Sequence, residues 1–69
     1  MNATVEDIKD AVLVVKTIGE RINAGTKPTP ENVELCEQYI VDLSDLGLAA
    51  SSLAVEDALN DWCELLLDA

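Results

Sequence analysis

Residues 4–25 read TVEDIKDAVLVVKTIGERINAG, and the spacing of their apolar side chains decides the fold class. Apolar residues recur at intervals of three and four, which is the periodicity of one face of an α-helix. A second row beside the first makes the middle of the segment apolar nearly all round. The first row is Val5, Ile8, Val12, Val15, Gly19 and Ile22, and the second is Ala11, Val14 and Ile18. These rows predict a helix that is buried on several sides.

Residues that commonly cap helices mark the two ends of this segment. Thr4 is a good N-cap and Gly25 stands where a glycine usually follows a helix, so we predict a helix over about residues 4–24. Gly19 either lets a second helix approach closely or weakens the helix near its end. Because β-branched residues are frequent here, a strand over residues 11–15 is an alternative.

Two further helices follow after short connections. Thr29 and Pro30 form a strong helix start, because threonine caps helices and proline fits their first turn. Gly47 ends the second helix, and Ser51 or Ser52 is the expected cap of the third. The predicted fold is therefore all-α, an antiparallel helical bundle or hairpin layer with helices over about residues 4–24, 30–46 and 50–68.

The chain has more aliphatic surface than three short helices can easily bury. Hydrophobic residues make up 49% of its 69 residues, and phenylalanine is absent. We therefore expect dimerisation to complete the bundle. Core and interface positions are both apolar, so the sequence does not separate them. The candidates for either role are Val5, Ile8, Val12, Val15, Ile18, Ile22, Leu59, Trp62 and Leu66.

The residue types present argue against catalysis and metal binding. The chain has no histidine, and its two cysteines, Cys36 and Cys63, stand isolated within apolar helical patterns. We expect both to be reduced core thiols, with a disulfide between them as the alternative. The three glycines are also isolated, so no phosphate-binding loop is present. We therefore expect no metal, no cofactor and no enzymatic activity.

The net charge of −10 comes entirely from the second and third helices. Residues 1–28 hold all four bases and four acids, whereas residues 29–69 hold ten acids and no base. A solvated polar face explains acids on a helix, but it does not explain the absence of bases. We therefore expect partner-binding faces that consist of Glu31, Glu34, Asp42 and Asp45 in the second helix and Asp57, Asp61, Glu64 and Asp68 in the third.

These faces predict a non-enzymatic regulator or inhibitor that binds a basic protein, such as a nucleic-acid-binding protein. In size, acidity and helical character the chain is similar to small phage proteins that inhibit host nucleic-acid machinery. Direct binding to nucleic acid or to an anionic membrane is not expected, because fourteen acids oppose four bases. The alternative is a structural or assembly module that homo-oligomerises through aliphatic helix faces.

One short stretch resembles a known family. The segments DLGL (residues 45–48) and SLAVE (residues 52–56) resemble the sequence around the modified serine of acyl carrier proteins, which are also small, acidic and helical. The resemblance implies a phosphopantetheine arm on Ser52. The chain departs from the family's pattern in two respects. Ser51 precedes the serine where the family has aspartate, and three residues separate Leu48 from Ser52 where the family usually has one.

The sequence shows no targeting or membrane segment. Its N-terminus has no basic start before an apolar run, and the longest apolar run, residues 11–15, is far short of the roughly 18 residues that a membrane helix needs. We therefore expect a cytoplasmic protein.

Overall fold

The structure is a computed structural model that describes residues 3–67. It contains three α-helices, α1 (Val5–Asn23), α2 (Pro30–Asp45) and α3 (Ala49–Cys63), followed by a 3₁₀-helix (Glu64–Leu67). No strand occurs among the described residues. The all-α prediction is therefore confirmed. The alternative of a strand over residues 11–15 is wrong, because these residues lie inside α1.

Both α1 and α2 begin with a capping box. The backbone N–H of Thr4 donates to Asp7 Oδ2 at 2.8 Å, and the N–H of Asp7 donates back to Thr4 Oγ1 at 3.3 Å. Thr29 and Asn32 make the same exchange at 3.0 and 3.1 Å. These bonds help to satisfy the N–H groups at the helix starts, which lack the usual helical partner four residues earlier. The predicted caps Thr4 and Thr29 are confirmed.

Both α1 and α2 are followed by a glycine in the left-handed conformation. The angle φ is +74° at Gly25 and +80° at Gly47, a region that residues with a Cβ rarely adopt. The N–H of Leu48 donates to the carbonyl oxygen of Leu43 at 3.0 Å and closes the end of α2. Leu48 also packs against the core cluster that contains Leu43. The predicted helix ends at the two glycines are therefore confirmed.

The start of α3 differs from the prediction. Its N-cap is Leu48, and no side chain accepts a capping hydrogen bond there. Ser51 and Ser52 lie inside the helix, so their assignment as caps is wrong. The physical reason is that Leu48 both closes the end of α2 and precedes α3, which leaves no loop in which a serine could cap.

The chain after α3 is only partly packed. The α-helix ends at Cys63, where residue 68 was predicted, and a 3₁₀-helix follows. Leu65 packs against the core, but Leu66 and Leu67 are exposed. The assignment of Leu66 to the core is therefore wrong, because the 3₁₀-helix, with three residues per turn, rotates this side chain away from the core. Its assignment to an interface stays a prediction. Residues 68 and 69 lie outside the described part of the chain.

The three helices pack around a core of two clusters. The buried residues of these clusters are Ala11, Leu43 and Val55 in the first, and Ile18, Leu59 and Trp62 in the second. From the first cluster to the second, residue numbers rise in α1 and α3 and fall in α2, so α2 runs antiparallel to both of the others. α3 packs closely against α1 and α2, whereas α1 and α2 approach each other little. An open groove therefore separates α1 from α2.

The second apolar row of α1 is the row that faces the core. Ala11 and Ile18 are buried, and Val14 and Val15 are half-buried beside them. The N-terminal part of the first row is exposed instead. It consists of Val5, Ile8 and Val12. Their assignment to the core is wrong, because α1 turns its second row towards α3, and their assignment to an interface stays a prediction. Ile22, at the other end of the first row, is half-buried against the second cluster.

Trp62 ties the connection between α1 and α2 to α3. Its side chain is only 2% exposed, and its indole N–H donates to the carbonyl oxygen of Thr26 at 2.7 Å. Pro28 is buried in the same connection. The guanidinium of Arg21 lies over the indole ring, 5.8 Å from the ring centroid, where a cation–π attraction operates. These contacts fix the end of α1 and the start of α2 over the C-terminal half of α3.

Gly19 makes no close helix contact within the described chain. A Cβ built on it would meet no atom within 4 Å. Of the two explanations for this glycine, close approach of a helix from the same chain is therefore wrong. Close approach of a helix from another molecule and a local weakening of α1 both remain.

Both cysteines are free and half-buried. Cys36 and Cys63 pack against the same cluster, that of Ile18, Leu59 and Trp62. Burial, and after it the neighbouring Cys63, raise the pKa of the Cys36 thiol above its ordinary value of 9.0. Because the thiolate is the reactive form, Cys36 is a weak nucleophile at neutral pH.

Candidate protein-binding surfaces

The second helix presents its predicted acidic face to solvent. The four acids of this face are all exposed, and they are Glu31, Glu34, Asp42 and Asp45. Gln38 lies in the same row, and its side-chain Nε2 donates to Asp42 Oδ1 at 3.2 Å. This face therefore combines carboxylates with one amide and contains no base.

The third helix presents a second acidic face. Asp57 and Asp61 are exposed on α3, and Glu64 is exposed where the 3₁₀-helix begins. Steps of four and three residues place these carboxylates along one helix edge. Asp68, the fourth residue predicted for this face, lies outside the described residues.

Two further acids, outside the predicted faces, lie where α2 meets α3. Glu37 of α2 and Glu56 of α3 line one depression of about 360 Å³, together with Val41 and Asn60. Both carboxylates are exposed and extend the acidic faces of their helices towards each other. The signal that could have found them is the antiparallel register of α2 and α3, which a single sequence does not contain.

The acids at the ends of α2 and α3 stand where the helix dipole disfavours them. The last turn of each helix contains no base. Asp42 and Asp45 lie near the end of α2, and Asp61 lies near the end of α3. A negative charge at a helix C-terminus typically costs about 0.3–1 kcal/mol when it is near the surface. Local helix stability therefore does not explain these residues.

An apolar depression lies in the groove between α1 and α2. It has a volume of about 300 Å³, and Trp62 and Ile18 contribute buried side chains to its floor. Leu13 on the α1 edge is 61% exposed, and Leu35 on the α2 edge is 69% exposed. The remaining lining residues are Val14, Thr17, Arg21, Asn32 and Cys36. Two large aliphatic side chains thus border an apolar groove with nothing covering them.

This groove continues along α2, and acidic residues lie near both of its edges. A smaller depression of about 220 Å³ extends it from Leu35 to Tyr39. Another depression, on the outer side of Leu35, is lined by Glu31, Glu34 and Gln38. Burial, and after it the carboxylates of Asp10 and Asp7 on α1, raise the pKa of Tyr39 above 10.0. Acids of both helices therefore lie near the apolar groove.

The hydroxyl of Ser52 takes part in a hydrogen bond between two helices. Its side chain is 8% exposed, and its hydroxyl donates to the carbonyl oxygen of Ile40 at 3.0 Å. This hydrogen bond joins α3 to α2 inside the bundle. The hydroxyl is therefore not presented to solvent, where attachment of a phosphopantetheine arm would require it.

Comparisons with protein-family models, with curated proteins and with solved structures found no match to this chain. The geometry alone therefore defines its class, a small all-α three-helix domain with acidic faces on α2 and α3 and an apolar groove between α1 and α2. Within residues 3–67, no helix is long and apolar enough to cross a membrane. No three acid or cysteine side chains in that range are grouped closely enough to hold a metal ion.

Proposed function

We propose that this protein is a non-enzymatic regulator or inhibitor that binds a basic partner protein, such as a nucleic-acid-binding protein. The observation that supports this proposal is the exposed acidic surface of α2 and α3, which contains no base. Such a surface creates a negative potential that attracts a positively charged partner and speeds its encounter.

The placement of the acids supports a role in binding over a role in solvation. Asp57 and Asp61 are four residues apart, a spacing at which like charges repel on a helix. Asp42, Asp45 and Asp61 also oppose the helix dipole. A surface that served only solubility would gain stability from interspersed lysines, and none is present there.

A pair of double variants tests the proposal. Asp57→Asn with Asp61→Asn removes two charges from the α3 face, and Glu6→Gln with Glu20→Gln removes two from exposed positions on α1. Each protein is used to capture partners from a bacterial lysate at low salt, followed by elution at high salt. We expect a discrete basic protein to bind the unsubstituted chain and the α1 variant, and to be lost from the α3 variant. Equal capture by all three proteins would contradict the proposal.

A second candidate function is an assembly module, and the exposed row of α1 favours it. Val5 and Val12 are 67% and 63% exposed, and Ile8 lies between them on the same helix face. A second copy could cover this row, and we propose that the homodimer forms there. Val12→Asp should halve the mass measured by light scattering, whereas Val41→Asp, at an exposed valine of α2, should not. A mass that is unchanged by Val12→Asp would show that α1 is not the dimer interface.

A further inference from the structure

We infer that the groove between α1 and α2 binds an amphipathic helix of the partner protein, with an apolar face in the groove and Lys or Arg on its flanks. This inference rests on the proposed function, because it names the part of the basic partner that the protein recognises. The binding site is distinct from the α3 face, and it combines apolar contact with charge.

The shape of the groove suits a helix. α1 and α2 run antiparallel and approach each other little, while α3 closes the floor beneath them with Trp62. Along α2 the lining extends from Asn32 to Tyr39, which is about two helical turns and roughly 10 Å. A docked helix would place two or three apolar anchors there, at positions i, i+4 and i+7.

Large aliphatic side chains stand exposed on both edges of the groove. Leu13 on α1 is 61% exposed, and Leu35 on α2 is 69% exposed. Exposed leucines on both sides of an apolar floor are typical of a helix-binding groove.

The margins of the groove are acidic, whereas the one charged side chain that lines it, Arg21, is a base whose guanidinium lies over the ring of Trp62. On the α2 side, Glu31 and Glu34 lie next to Leu35, and on the α1 side Asp10 and Asp7 lie close enough to Tyr39 to affect its titration. A helix with lysines or arginines beside its apolar anchors would pair with these carboxylates.

Three helical peptides of about 18 residues provide the probe. The first is built from Leu and Lys, with the leucines on one helix face. The second has the same composition with the leucines dispersed around the helix, and the third keeps the leucine face but has Glu in place of Lys. Fluorescence anisotropy measures the Kd of each labelled peptide, and amide resonances of the ¹⁵N-labelled protein locate the site. We expect the first peptide to bind at least tenfold more tightly than the others, with shifts at Leu13, Thr17 and Tyr39.

A matched pair of protein variants tests whether the peptide binds in the groove. Leu35→Asn changes an exposed leucine on the groove edge, and Leu53→Asn changes a leucine of α3 that is 57% exposed and does not line the groove. Circular dichroism confirms that both variants remain helical. We expect Leu35→Asn to raise the Kd of the first peptide at least tenfold, and Leu53→Asn to change it less than twofold.

The outcomes distinguish failure of the proposed binding site from failure of the proposed basic partner. Equal binding of the two Lys peptides, unaffected by Leu35→Asn, would contradict the groove as the binding site but would agree with a partner attracted by charge. Equal binding of the Lys and Glu peptides would contradict the basic partner. A dimer that dissociates with Leu35→Asn would make a second copy the occupant, which also overturns the inference.

Discussion

The pKa of Tyr39 depends on how closely α1 approaches α2. Tyr39 is the one tyrosine of the chain, so a titration of tyrosinate observes this residue alone. Burial and the carboxylates of Asp10 and Asp7 raise its pKa above 10.0. We expect an absorbance titration of tyrosinate to show this raised pKa, and Asp10→Asn to lower it. Asp57→Asn, on the exposed side of α3, is the matched control and should leave the pKa of Tyr39 unchanged. Identical titrations before and after Asp10→Asn would place this residue further from Tyr39 than the structure does.

The raised pKa of Tyr39 also affects how the free energy of unfolding depends on pH in alkaline solution. The unfolded chain releases the Tyr39 proton near the ordinary pKa of 10.0, whereas the folded chain holds it to higher pH. Above that pKa the unfolded state binds fewer protons, so the free energy of unfolding falls as the pH rises. The raised pKa of Cys36 adds to this fall from about pH 9.0 upwards. Urea unfolding at pH 8 and at pH 10.5, with Tyr39→Phe for comparison, measures the contribution of the phenol.

At the scale of one helix, Gly19 is a site where α1 can be stabilised. A Cβ at this position meets no atom within 4 Å, so alanine fits without strain. We expect Gly19→Ala to raise the free energy of unfolding by about 1 kcal/mol, because alanine favours the helix over glycine by that amount. Gly25→Ala is the contrasting control, since φ is +74° there and a Cβ in that conformation costs about 1–2 kcal/mol. Denaturation by urea measures both changes. If Gly19→Ala destabilised the protein, Gly19 would lie in a contact with another molecule.

The limits of the helices were predictable wherever a side chain or a glycine determines them locally. Thr4 and Thr29 cap their own helices, and Gly25 and Gly47 take positive φ, so each needs only its neighbours in sequence. The start of α3 was not predictable in this way, because Leu48 is held by a hydrogen bond to α2. A tertiary arrangement, and not a capping residue, determines where α3 begins.

The choice of the buried row in α1 also required the packing. Both rows of this helix are apolar, so periodicity predicted a helix without showing which row faces α3. The small side chain of Ala11 in the second row fits the position where α1 meets Val55. Val5 and Val12 of the first row are exposed as a result.

At the scale of the whole molecule, the sequence predicted the acidic faces but not the groove. Charge is counted directly from the residues, and the helical period places the acids on one side of α2 and of α3. The groove depends on the gap between α1 and α2, and Trp62, which lies on its floor, donates a hydrogen bond to Thr26 in the connection between these helices. Exposed leucines such as Leu13 and Leu35 become a candidate site only when that gap is known.

The surface charge should lower the stability of the molecule. The acids of residues 29–69 repel one another over distances comparable to the Debye length, which falls from about 30 Å at 0.01 M salt to about 8 Å at 0.15 M. We therefore expect the free energy of unfolding to rise with salt over this range. Asp57→Asn with Asp61→Asn should raise it at low salt, because one like-charge pair costs about 0.2–0.5 kcal/mol, and should reduce its salt dependence.

The α1 double variant provides the control for this prediction, because it changes the net charge by the same amount. Glu6 lies in the first turn of α1, where the helix dipole favours it, and Glu20 lies four residues after Lys16. Glu6→Gln with Glu20→Gln should therefore not increase the stability. If the α3 variant is more stable than the unsubstituted protein and also loses its partner, then the acids of α3 are kept for binding at the expense of stability. An α3 variant that is less stable would instead make these acids part of what holds the fold together.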